Sequence, residues 1–158
     1  MTAPSTVDPV LGVVSDTHGL VRPELVTALT GCDAILHAGD VGNPEVLSTL
    51  AAIAPLTAVR GNNDGWSKEL PHDVELGFGG YRFYVVHDIA DLDFEPASRS
   101  VDVVVYGHSH RPLIEKRGGV LFLNPGSAGP RRFRLPIVAA RVRITGRGLE
   151  PELIELEA

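Results

Sequence analysis

Two aspartates, four histidines and an asparagine stand where short apolar runs stop. Asp16 and His18 follow residues 10–14, Asp40 follows 34–38, Asn62 follows 56–60, His87 follows 81–86, and His108 and His110 follow 101–106. Carboxylate, imidazole and amide, with no thiolate among them, form a donor set for a first-row ion such as Mn²⁺, Fe or Ni²⁺, or for a catalytic Zn²⁺. A closed structural zinc site would use cysteines. Seven donors exceed what one catalytic ion with an open position needs, and they suit two ions roughly 3.5–4 Å apart that share a carboxylate. Such a pair can acidify a bridging water and hold phosphoryl oxygens as charge builds in the transition state. Taken singly, each piece has a plainer reading: Asp16-Thr17-His18 as a capped turn, Gly39-Asp40 as turn chemistry, His87 as a core histidine. The joint pattern does not, because four of the six histidines fall in register with the two aspartates and the asparagine. His37, inside an apolar run, is expected to be structural, and His72, in a loop, to be exposed.

The runs that position these groups read as strands alternating with helices. Residues 10–14 are a continuous apolar stretch and 34–38, 56–60 and 101–106 are apolar-rich ones, the pattern of buried strands. Between the first three lie helical patterns. One has Pro23 at its first turn and Gly31 past its end; the other spans 44–53, with Asn43 as N-cap and Pro44 at the first position. Residues 74–78 and 81–86, separated by Gly79-Gly80, read as a hairpin. The segment 91–100 is expected to be a short helix interrupted by Pro96, and further strands are expected near 113–116, 120–123, 137–144 and 153–156. Ligands bind where strands point their carboxyl ends in open α/β sheets, so the strand-end residues can converge on one crevice.

A chain of 158 residues suits one domain, with a core over about residues 10–156. The net charge of −6 argues against nucleic-acid and anionic-membrane partners, which reward a basic surface. The cluster Arg131-Arg132-Phe133-Arg134 is a local exception and is read as a solvated face. A single cysteine, Cys32, excludes an intrachain disulfide, and residues 1–9 lack the pattern of a signal peptide, so a cytoplasmic location is expected. No apolar stretch is long enough to span a bilayer. No amphipathic seam dictates self-association, although a homo-oligomer is allowed.

In this order, Asp16-Thr17-His18, Gly39-Asp40, Gly61-Asn62-Asn63-Asp64, the lone His87 and Gly107-His108-Ser109-His110 resemble the signature blocks of the calcineurin-like metallophosphoesterase superfamily. Asn124-Pro125-Gly126-Ser127 with Gly129-Pro130-Arg131 makes the chain similar to its small single-domain phosphodiesterase branch in bacteria and archaea. The resemblance implies a four-layer α/β/β/α sandwich with a dimetal site at the strand ends. It implies Asp16, His18 and His110 on the first ion, Asn62, His87 and His108 on the second, and Asp40 bridging them. It implies Mn²⁺ as the usual ion, with Ni²⁺, Fe, Zn²⁺ or Mg²⁺ as substitutes, and a small phosphate ester, most often a diester, as substrate. Asp40, Asn62, Asn63 and His108 would serve catalysis, and Asn63 and Arg131 would contact substrate.

Two positions depart from the family pattern. Many members carry a histidine where Asn63 stands, and an amide cannot protonate a leaving alkoxide near neutral pH. Close relatives read His-Gly-His where this chain has His87-Asp88-Ile89, so a second histidine is missing and a carboxylate is added. Asp88 is read as a solvated loop residue, with an effect on substrate choice through its charge as the alternative. Phosphomonoesterase and metal-dependent nuclease activities are alternatives, the second without a basic channel. A non-catalytic scaffold on the same fold is another, but it would show eroded ligands, and all seven are present.

Overall fold

The apolar run Val10–Val14 is buried at every position and forms β1, the centre of the first of two sheets. A computed structural model describes residues 8–156; the amino-terminal reading over residues 1–7 lies outside them. The element order is β1, α1 (Pro23–Leu29), β2 (Ala34–His37), α2 (Pro44–Ala51), β3 (Leu56–Ala58), β4 (Asp73–Phe78), β5 (Tyr81–Val86), β6 (Val103–Val105), β7 (Leu113–Arg117), β8 (Val120–Asn124), β9 (Val138–Thr145) and β10 (Gly148–Glu155). One sheet runs β10-β9-β1-β2-β3 and the other β4-β5-β6-β8-β7. Within them β1, β2 and β3 are mutually parallel, as are β5, β6 and β8, so the carboxyl ends of six strands lie along common edges.

Three apolar layers hold the sheets. The middle one joins Leu11, Val13 and Leu36 of the first sheet to Phe83, Val85, Val103 and Leu123 of the second. The outer face of the first sheet is covered by α1 and α2 through Leu25, Leu29, Val46 and Leu50. Each such side chain removed from water stabilises the fold by roughly 1.5–3 kcal/mol. Pro23 and Pro44 occupy first-turn positions, and Asn43 Oδ1 accepts from Val46 N at 3.1 Å. The outer face of the second sheet carries Tyr84, Val104 and Phe122, covered by Ile89, Leu92 and Phe94. Here the fourth layer is thin: the segment expected to be an interrupted helix makes two 3₁₀ turns, Ile89–Asp91 and Pro96–Arg99.

β10 is longer than its sequence pattern suggests, pairing with β9 over all eight residues. Pro151 hides it, yet an edge strand tolerates proline because one side of its backbone has no ladder to complete. No helix among the described residues is long and apolar enough to cross a membrane.

Candidate metal centre

Strand ends from both sheets meet. Asp16 lies two residues past β1, Asp40 three past β2, His87 directly after β5, and His108 and His110 after β6. His18 Nε2 and His110 Nε2 stand 3.4 Å apart. Asp16 Oδ1 lies 3.3 Å from His110 Nε2, 3.7 Å from His18 Nε2 and 4.0 Å from His87 Nε2. Asp40 Oδ2 lies 3.7 Å from His18 Nε2 and 3.4 Å from His87 Nε2. Donors about 2.1 Å from a shared ion and at tetrahedral to octahedral angles would lie about 3.0–3.4 Å from one another, close to these spacings. Asp40 Oδ2 therefore lies within reach of both His18 and His87, and Asp16 is common to two groups of donors, one with His18 and His110, the other with Asp40 and His87.

On Asp16 and His87 the outward atoms are held, leaving the inward ones bare, while His110 Nδ1 is buried without a partner. Ser15 Oγ donates to Asp16 Oδ2 at 2.6 Å and His108 N–H donates to the same oxygen at 3.1 Å, so Oδ1 is the oxygen turned toward the imidazoles. His87 Nδ1 lies 2.7 Å from Ala38 O; a carbonyl only accepts, so Nδ1 carries the proton and Nε2 points inward. Asp16 Oδ1 and His87 Nε2 are both buried and have no hydrogen-bond partner. Two orphaned polar atoms facing each other are costly in a dry interior, and a cation between such donors removes that cost. The residues therefore fit a divalent ion in position and in chemistry.

The electrostatics agree. Burial raises the carboxyl pKa of Asp16, but His110, His18 and Ser15 outweigh it and hold Asp16 well below the usual range. For Asp40, burial is likewise outweighed by His87 and the Asn63 backbone, and the pKa falls. Burial works against charge on His87, yet the Asp40 hydrogen bond and the Asp16 charge raise its pKa. The centre thus draws a positive charge to these atoms.

Backbone conformation marks the same residues. Asp16, His18, Asp40, His108 and His110 all have φ between 47° and 70°; Ser100 and Phe133 are the other non-glycine residues in that region among those described. Left-handed backbone costs a side-chain-bearing residue on the order of 1 kcal/mol, and it persists only where surrounding contacts impose it. Two glycines let the loops close. A Cβ on Gly61 would strike Asp40, and one on Gly107 would strike Ser15 and Asp16. Asn124, at the end of β8, braces the histidine loop through Gly107 O at 3.1 Å and Ser109 Oγ at 3.2 Å.

Of the remaining expected site residues, Asn62 and His108 lie at the rim. Asn62 is exposed and, with Arg60, His72, His87, Asp88 and Asp91, lines a cleft of about 250 Å³. His108 is half-exposed; its ring stands edge-on to His87 with centroids 5.2 Å apart, and its Nε2 is 3.7 Å from Asp88 Oδ2. Asp88 is thus not merely a solvated loop residue, since its other oxygen caps the turn at Ala90 while this one faces a candidate ligand. Asn63 donates to Asp40 twice, from its backbone N–H at 2.9 Å and its amide at 3.2 Å. Arg131 is exposed and donates to Leu135 O at 3.3 Å, bracing its own loop. His72 is half-exposed, as expected, and 3.4 Å from Asp91 Oδ2 at the cleft wall.

Two buried groups lie beneath the site: Asp64, to which the sequence assigned no role, and His37, expected to be structural. Asp64 is fully enclosed and accepts from backbone on both the Asp40 and the Asn62 loops. His37 is fully enclosed, and burial pushes its pKa down to about 4. A base whose pKa is depressed on folding contributes stability that is complete above its unfolded pKa of about 6.5 and lost as pH falls through its folded value, here up to about 3 kcal/mol. Urea unfolding at pH 7.5 and pH 4.5 should therefore show a smaller loss for His37→Phe than for the unaltered chain. Equal losses would remove His37 from the acid sensitivity.

Comparison with known proteins agrees with this architecture. Residues 10–147 match the calcineurin-like phosphoesterase superfamily domain. A probable metallophosphoesterase of Methanothermobacter thermautotrophicus is 34% identical, over 94% of this chain and 93% of the relative. A phosphodiesterase of Methanocaldococcus jannaschii is 28% identical over 73% of this chain and 82% of the relative. Among solved structures, a novel archaeal phosphodiesterase aligns with a TM-score of 0.76 at 23% identity, covering 92% of this chain and 99% of the other. Vacuolar protein sorting 29 of Cryptosporidium parvum aligns with a TM-score of 0.76 at 16% identity, covering 94% and 98%, a likeness of fold. The chain belongs to the calcineurin-like phosphoesterase superfamily.

Proposed function

We propose that this metallophosphoesterase is a phosphodiesterase that works on small phosphate esters with two divalent ions, Mn²⁺ first among them. One observation carries this reading: the buried, unpartnered Asp16 Oδ1 and His87 Nε2, 4.0 Å apart within a cluster of imidazoles and carboxylates beside an open cleft. Asp16, His18 and His110 would hold one ion, Asn62, His87 and His108 the other, with Asp40 shared. When bound, the ions would supply Lewis acidity, acidifying water and neutralising phosphoryl oxygens.

The chain's own groups do the positioning. Ala38 O fixes the His87 tautomer, Ser15 and the His108 N–H fix the rotation of Asp16, and Asn63 fixes Asp40. Arg60 supplies a positive group to a cleft wall that also carries Asp88 and Asp91. Asn63 offers no acidic proton to the leaving group, so rate is expected to depend steeply on leaving-group pKa across a series of aryl methyl phosphates. A flat dependence would mean that another group donates the proton.

The test is the initial rate on a chromogenic phosphodiester, with chelator-stripped protein, before and after adding Mn²⁺. Turnover should be restored by the ion, and Asn62→Ala should lower it by about 100-fold. Metal-loaded protein that turns over no phosphodiester with any divalent ion would leave a metal-binding scaffold on the same fold.

A further inference from the structure

The buried imidazole of His37 belongs to neither group of donors, yet it touches both loops that carry them. Gly39 N–H donates to His37 Nδ1 at 3.0 Å. A backbone N–H can only donate, so Nδ1 must be the bare nitrogen, and the proton of the neutral ring is on Nε2. That Nε2 is 3.0 Å from Thr17 Oγ1, and the Thr17 hydroxyl donates in turn to Val41 O at 2.8 Å. Every hydrogen in this chain of bonds has one direction. Thr17 sits between the candidate ligands Asp16 and His18, while Gly39 and Val41 flank the candidate ligand Asp40.

The two loops already run side by side through backbone bonds from Asp16 N to Gly39 O at 2.9 Å, His18 N to Asp40 O at 3.0 Å and Gly19 N to Val41 O at 2.8 Å. These bonds align the loops through their backbones, and the bond from His37 to Thr17 adds a side-chain tie across them beside the left-handed residues Asp16, His18 and Asp40. We infer that His37 is a positioning residue: in its Nε2–H tautomer it ties Thr17 to Gly39 and Val41 and so holds Asp16 and His18 at bridging distance from Asp40. A hydrophobic ring of the same size would fill the space without making either bond. A protonated ring would lose the acceptor for Gly39 N–H, so burial that keeps it neutral serves the same end.

The inference rests on the two-ion reading for its metal measurements but not for its first one. Nitrogen-15 NMR of the metal-free protein between pH 5.5 and 8 should show His37 as a single, non-titrating Nε2–H tautomer. A ring protonated on Nδ1, or a mixture of tautomers, overturns the inference whatever the protein binds. Calorimetric titration of chelator-stripped protein with Mn²⁺ supplies the second test. His37→Phe and Thr17→Val should each lose at least about tenfold in affinity, the double variant should lose little more than either, and Thr17→Ser, which keeps the hydroxyl, should stay near the unaltered chain. The two-ion electron-spin coupling of bound Mn²⁺ should be lost in His37→Phe. Leu29→Ala, a cavity in the helix-covered layer, controls for stability: it should lower the melting temperature and leave Mn²⁺ affinity intact. Full Mn²⁺ affinity and intact coupling in His37→Phe would reduce His37 to core packing. Failure of the unaltered chain to bind Mn²⁺ would defeat the two-ion reading, and the NMR result would still decide the tautomer lock.

Discussion

Asp16→Asn is expected to lower kcat/KM on a phosphodiester by about 10³-fold, roughly 4 kcal/mol of transition-state stabilisation, and to leave the purified protein with less than one bound ion. Asp16 Oδ1 faces three imidazole nitrogens between 3.3 and 4.0 Å away, and it is the carboxylate oxygen central to the His18, His110 and His87 donors. Asparagine removes the negative charge and cannot fill the site in either orientation. With its amide nitrogen inward, a donor replaces an electron pair aimed at the ion. With the nitrogen outward, a donor meets the His108 N–H that now donates to Oδ2. The fold should survive, because β1 is held by Leu11, Val13 and Val14 rather than by Asp16. Metal content by mass spectrometry after gel filtration, beside kcat/KM, checks both halves. Two retained ions and full turnover in Asp16→Asn would remove Asp16 from the centre.

The strand-end positions of Asp16, Asp40, His87, His108 and His110 were legible because continuous apolar runs define where a buried strand must stop. The left-handed backbone of Asp16, His18, Asp40, His108 and His110 was not legible. Aspartate and histidine favour that region only weakly, and here the contacts of other loops impose it. Asp64 looked like one member of a Gly-Asn-Asn-Asp turn, since two of its backbone partners lie more than twenty residues away on the Asp40 loop. His37 read as a histidine caught inside a strand. That reading follows from burial alone, whereas its work depends on a hydroxyl and an N–H that only the fold brings near. Trp66 is exposed and donates from Nε1 to Asp64 Oδ1 at 3.2 Å. The thin fourth layer also escaped the pattern, because Pro96 shows that a helix is interrupted without showing what remains.

Asp64→Ala is expected to destabilise the metal-free protein by about 4 kcal/mol and lower its melting temperature by about 10 °C. Asp64 Oδ2 accepts from Val41 N–H at 3.0 Å and Gly61 N–H at 2.9 Å, and Oδ1 accepts from Gly42 N–H at 3.0 Å. Alanine strands these three backbone donors, and an unmet buried donor costs on the order of 1–3 kcal/mol, partly recovered here where water reaches Gly42 and Gly61. Val41 and Gly42 follow Asp40 while Gly61 precedes Asn62, so the same carboxylate fixes the proposed bridging ligand against a proposed ligand of the second ion. Loss of Asp64 should therefore weaken the second Mn²⁺ more than the first, even well below the melting temperature. Trp66→Phe removes only the fourth donor and should cost less than about 1 kcal/mol with little change in metal binding. Thermal unfolding of both variants, followed by Mn²⁺ titration at about 15 °C, separates the outcomes. An Asp64→Ala protein that melts low but binds both ions normally would make Asp64 a stabilising residue with no part in aligning the loops.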